Sequence, residues 1–96
     1  MSEIYNNVWD ALEDDPSKRG NLKIRSKLLV SISEEIKNTG ETQSHIAGVL
    51  GIKQPRVSAL VTGKISMFSV DYLLDIAYKL GLHVSMQIND EQAMLG

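Results

Sequence analysis

The stretch from Gln43 to Leu60 constrains this chain more than any other. Counted from Gln43, apolar residues fill positions four, eight, ten, fifteen and eighteen (Ile46, Leu50, Ile52, Val57 and Leu60), position five is Ala47 and position nine is Gly51. Two short helices with apolar inner faces, joined by a tight turn, satisfy that spacing. Ala47 is small enough for the second helix to approach the first closely, and Gly51 can take the left-handed backbone conformation that the turn requires. Thr42 is placed to cap the first helix, whose apolar face is Ile46, Ala47, Val49 and Leu50; Pro55 fits the first turn of the second, where no amide donor is needed, and Gly63 ends it. Small, glycine and apolar positions must all agree at set offsets, so this pattern is far more specific than a lone glycine motif.

The flanking sequence reads as further helices. Ile4, Tyr5, Val8, Trp9 and Leu12 fall at helical spacing, and Asp14-Asp15-Pro16 closes that segment. From about Ser17 to Asn38, Leu22, Ile24, Leu28, Leu29, Ile32 and Ile36 recur at three- and four-residue intervals, with Thr39-Gly40 as the stop. Gly20 and Asn21 weaken the first turns of this helix, so its ordered part is expected to begin closer to Leu22. Ser69 caps a last helix carrying Val70, Leu73, Leu74, Ile76, Ala77 and Leu80, and Gly81 ends it. Beyond Gly81 the period changes to alternation: Leu82, Val84, Met86 and Ile88 on one side, His83, Ser85 and Gln87 on the other. The expected fold is all-α, five helices with one C-terminal β-strand over 82–88. A single strand leaves its hydrogen-bonding edge open, and pairing with the same strand of a second copy is the economical solution, which predicts a homodimer.

A chain of 96 residues has room for one domain, so residues 1–96 are read as a single unit with its two-helix element at 42–63. It contains no cysteine, which excludes a disulfide framework and a thiolate zinc site, and no apolar run approaches the roughly 20 residues that span a bilayer. With no basic leader followed by an apolar segment, a cytoplasmic location is expected. The net charge of -2 argues at first against a nucleic-acid partner. Its distribution argues the other way. Between Leu22 and Lys64 seven basic residues (Lys23, Arg25, Lys27, Lys37, Lys53, Arg56, Lys64) face three acidic ones (Glu34, Glu35, Glu41), while other acids sit towards the ends, a pattern compatible with a basic face on an acidic body.

Thr42-Gln43, Ala47, Leu50-Gly51-Ile52, Gln54, Arg56-Val57-Ser58, Leu60 and Gly63-Lys64 resemble the Cro/C1-type (XRE) helix-turn-helix family. A wider similarity, through Val8-Trp9-Asp10-Ala11-Leu12, Leu22-Lys23-Ile24-Arg25-Ser26, Gln54-Pro55-Arg56-Val57-Ser58, Gly63-Lys64-Ile65 and Phe68-Ser69, points to its HigA-like antitoxin branch. Members of that branch typically repress their own operon as dimers and neutralise a RelE/HigB-like ribonuclease toxin; related proteins act as stand-alone or phage-type regulators. The second helix of such a unit lies in the major groove of double-stranded DNA, which places Gln54, Pro55, Arg56 and Ala59 nearest the bases. A glutamine amide pairs bidentately with adenine and an arginine fork with guanine, whereas Pro55 and Ala59 offer apolar contact to a thymine methyl. By the resemblance Gln43 holds a phosphate, and Thr42, Lys53, Ser58 and Lys64 are placed on the backbone of a palindromic operator.

Other residues invite the plainer reading. The polar face of a short helix is usually only solvated, and Gln54 and Arg56 escape that reading because the motif exists to present them. Arg25 and Lys23 are left outside the site, since an exposed ion pair would explain them as well. His45 and His83 are far apart in sequence and lack ligand-spaced partners, so no metal site, cofactor or catalytic base is expected. Met1, Met67, Met86 and Met94 are gap-fillers, strand or tail residues. Tyr5 and Trp9 are core residues by default; their alternative is to anchor a basic toxin beside acidic Glu13, Asp14 and Asp15. No paired carboxylates, activated nucleophile or phosphate-cradling loop supports an enzyme. A third reading stays open, an interaction module that has kept the fold and lost DNA binding.

Overall fold

The computed structural model describes residues 15–89, and the expected helix from Ile4 to Leu12 lies outside them. Among the described residues there are four α-helices: α1 (Pro16–Thr39), α2 (Gln43–Leu50), α3 (Gln54–Thr62) and α4 (Val70–Lys79), with one 3-10 turn, Ile65–Met67, between the last two. None of these helices is long and apolar enough to cross a membrane.

Helix α1 begins earlier than Gly20 and Asn21 would allow by propensity alone. Asp15 caps it, its carboxylate accepting the Ser17 amide at 3.0 Å and the Ser17 hydroxyl at 2.9 Å, and Pro16 stands in the first turn. Those two hydrogen bonds, the amide first, hold the exposed Asp15 carboxyl below its ordinary pKa. Thr42 and Ser69 cap α2 and α4 in the same manner, each hydroxyl accepting a backbone N–H at 3.1 Å, from His45 and Tyr72.

Three helices end on one device. Ala47, Ala59 and Ala77 each stand four residues before a glycine with positive φ (Gly51, Gly63, Gly81), and each alanine carbonyl accepts the amide of the residue after that glycine, all at 3.0 Å. This is the Schellman closure, which satisfies carbonyls that the helix leaves unpaired and turns the chain sharply. Two of the residues after the glycine, Ile52 and Leu82, fold back against the core.

Leu29, Ile32 and Ile36 of α1 pack with Ile46, Ala47 and Leu50 of α2, Val57, Ala59 and Leu60 of α3, and Leu73, Ile76 and Ala77 of α4, with Phe68 between the last two elements. Helix α1 is the spine, in contact with α3, the 3-10 turn and α4, while α2 packs on α3. The Ser33 hydroxyl donates to the Val61 carbonyl at 3.1 Å and ties α1 to α3. Two expected core residues face solvent instead: Val49 is 58% exposed and Ile24 46%. An eight-residue helix buries one stripe, and Ile46, Ala47 and Leu50 already fill it.

Residues 82–89 do not form a strand. A strand is defined by ladder bonds, and the described residues offer no second extended segment to supply them. The alternation survives only at its start. Leu82 and Val84 pack partly against the core and the Tyr78 hydroxyl donates to the Val84 carbonyl at 3.0 Å, but Met86 and Ile88 are 73% and 81% exposed.

At Gly51, with φ 72°, an added Cβ would meet no atom within 4 Å, so the backbone conformation alone penalises a substitution there. Gly51→Ala should lower stability by about 1–2 kcal/mol in urea denaturation, and Gly51→Asn by less; equal stability of all three proteins would show that the left-handed turn is not required.

Candidate nucleic-acid interface

The unit from Thr42 to Gly63 presents two helix starts to solvent. Val57 and Leu60 are wholly buried, which turns the amino-terminal residues of α3 outward: Gln54 and Pro55 are exposed, and Arg56 and Ser58 half-buried. Lys53, in extended conformation, precedes the helix without capping it through its side chain, so its ammonium group stays available beside the first turn. Lys64 is exposed just past the other end of α3. Thr42 is exposed and Gln43 half-buried at the start of α2, where the Thr42 oxygen already accepts the His45 amide and retains its own proton to donate.

Ala59 departs from the sequence expectation. It is 4% exposed and belongs to the core cluster, because α3 packs between α1 and α2 and the seating of Val57 and Leu60 carries that side of the helix inward. Its methyl is therefore unavailable to a thymine. The remaining outward residues keep their relative order along the helix.

The stretch of chain that carries these residues has charge of one sign. No acidic residue occurs between Glu41 and Asp71, whereas Lys53, Arg56 and Lys64 do. Glu41 itself lies 3.8 Å from the His45 imidazole on the exposed start of α2. Helix α3 has nine residues, and an α-helix with its side chains is about 10–12 Å across, a diameter that fits the major groove of B-DNA, about 12 Å wide.

Three side chains that sequence reasoning left aside prove to shape the site. The Arg25 Nε donates to the Asn21 side chain at 2.7 Å, and its terminal nitrogen to the Ile65 and Phe68 carbonyls at 3.1 and 3.4 Å, so Arg25 binds the 3-10 turn to α1. Phe68, buried at that turn, stacks on Tyr72 with ring centroids 5.4 Å apart and planes 15° from parallel. The Arg56 guanidinium carbon sits 4.6 Å from the Tyr72 ring centroid and 5.1 Å from that of Phe68, and Nε donates to the Tyr72 hydroxyl at 3.4 Å. Tyr72 is 16 residues from Arg56 and gives no periodic signal linking the two. Tyr5 and Trp9 lie outside the described residues.

Residues 11–89 match a family described as a helix-turn-helix domain. A search of curated proteins returned no match. Among solved structures, the chain is similar to one whose name assigns it to the XRE family of transcriptional regulators, with 30% identity and a TM-score of 0.67 over 74% of this chain and 80% of that one.

The burial of Ala59 has a direct consequence. Ala59→Leu should overpack the core and cost about 1–3 kcal/mol of stability, read as a lower midpoint in urea; an unchanged midpoint would return this residue to the outward face.

Proposed function

The chain belongs to the XRE-type family of helix-turn-helix proteins, and on that premise we propose that it is a sequence-specific DNA-binding repressor that lays α3 in the major groove. The family is a class of DNA-binding regulators and not of enzymes. The observation that carries the proposal is the exposure of Gln54 and Pro55 beside a half-buried Arg56 at the start of a helix whose opposite side is buried, in a stretch without acids. Gln54 reads adenine and Arg56 guanine, with Pro55 against a thymine methyl. Thr42, Gln43, Lys53, Ser58 and Lys64 hold the phosphates on either side and set the register. The whole chain works as one domain.

Operator palindromy requires two copies of α3 about one helical turn of DNA apart, near 34–36 Å. In this reading the segment 82–88 supplies the pairing, each copy contributing Leu82, Val84, Met86 and Ile88. What supports it is the sequence alternation and the exposure of Met86 and Ile88 beside two residues already docked on the core. The sequence resemblance extends the proposal to the HigA-like branch: an antitoxin that represses its own operon and neutralises a RelE/HigB-like toxin, with Tyr5 and Trp9 as the toxin contact. A neighbouring reading frame for a small basic protein, or its co-purification, separates the antitoxin from a stand-alone regulator.

The primary test is a gel-shift titration of the protein on its own upstream region against unrelated competitor DNA, repeated over a range of salt. Specific retention is expected. Gln54→Ala should cost about 1–3 kcal/mol on that site while leaving non-specific binding unchanged, and Lys64→Ala should reduce the slope of log affinity against log salt by about 1. Equal retention of both DNAs by the native protein would move the assignment to a protein-binding role for the same fold.

Dimerisation is tested apart from DNA. Replacing Met86 and Ile88 with lysine spares the docked Leu82 and Val84, so the domain should stay folded while sedimentation shifts from dimer to monomer. A variant that remains dimeric would exclude pairing through this segment.

A further inference from the structure

We infer that Tyr72, seated on Phe68, is a specificity-determining positioning residue for Arg56, a role that rests on the base-reading function proposed above. An arginine on an exposed helical turn ordinarily samples many rotamers, and that freedom is lost when it binds. Here the guanidinium already lies over two stacked rings, 4.6 Å from the Tyr72 centroid and 5.1 Å from that of Phe68.

The platform is itself rigid. Phe68 is buried, its carbonyl receives the Arg25 guanidinium, and the Tyr72 amide is held by the Ser69 cap. Arg25 is therefore the arginine that holds the fold, with its terminal nitrogen spent on two backbone carbonyls. Arg56 differs in the way a recognition residue should. Only its face and its Nε are engaged, and neither terminal amino group has a hydrogen-bond partner among the described residues. Those amino groups lie in the guanidinium plane and form the fork that matches O6 and N7 of a guanine.

The consequence is a fork carried by α3 whose orientation is set by Tyr72 of α4 together with Phe68. Tyr72 never touches a base in this reading. It limits where the Arg56 donors can point, and so concentrates the preference of Arg56 on one base pair of each half-site.

The test is selection of binding sites from a randomised duplex by the full-length native protein and by Tyr72→Leu, Tyr72→Phe and Arg56→Ala, with thermal unfolding of each as the check on folding. The native protein should enrich one guanine per half-site that Arg56→Ala no longer selects. Tyr72→Leu should lower discrimination at that same position by roughly two- to fivefold and leave the other positions unchanged, whereas Tyr72→Phe, which keeps the ring, should retain most of it. A guanine preference intact in Tyr72→Leu, or a loss spread evenly over all positions, overturns the inference and leaves the repressor reading standing. Enrichment that Arg56→Ala does not alter overturns Arg56 as a reader and this role with it. No enrichment by the native protein overturns both this inference and the proposed function.

Discussion

Val57 and Leu60 seat α3 against the rest of the domain, both with no exposed surface, and the outward position of Gln54 and Pro55 depends on that contact. At nine residues α3 is well short of the roughly 12–15 that hold an isolated helix together in water. Its helical state is a tertiary product. Full burial of each of those side chains is worth roughly 1.5–3 kcal/mol, and the Ser33 hydroxyl bond to Val61 adds a directional tie from the spine helix. A surface built on so short a helix is only as well defined as the packing behind it.

The repeated alanine and glycine pair solves a second problem, that of changing direction often in a small space. Each of α2, α3 and α4 must stop within ten residues and send the chain back over the core. Placing the accepting carbonyl on a buried alanine lets neighbouring helices approach closely at the turn, and the glycine four residues on supplies a conformation that other residues reach only at a cost. One closure therefore settles both the end of the helix and the entry of the next segment. Ala59, whose carbonyl closes the turn after α3, is itself part of the core.

Charge and aromatic packing then shape the face that remains. A chain with a net charge of -2 can still carry a positive segment when its acids stay out of one long stretch, as they do between Glu41 and Asp71. The two arginines divide the work by geometry. Arg25 spends its terminal nitrogen on backbone carbonyls around the 3-10 turn, and the turn in return holds Phe68 beside Tyr72, where both rings meet the Arg56 guanidinium.

Much of this was legible in the residues themselves. The helix boundaries around Gly40, Gly51 and Gly63, the caps at Thr42 and Ser69 and the burial of Ile46, Leu50, Val57 and Leu60 all follow from local spacing, because capping and helical periodicity act over a few residues. Other features depended on contacts that no short window contains. Asp15 started α1 earlier than Gly20 and Asn21 foretold, Val49 was left outside a stripe its neighbours had filled, and the alternating run after Gly81 found no ladder among the described residues. So the sequence by itself determined the two-helix unit and the order of polar residues along α3, since both are set by offsets of three and four. Only the tertiary structure decided that Ala59 turns inward and that Arg56 rests on Tyr72, because the first depends on how α3 is seated against α1 and α2 and the second on a residue 16 positions further along the chain.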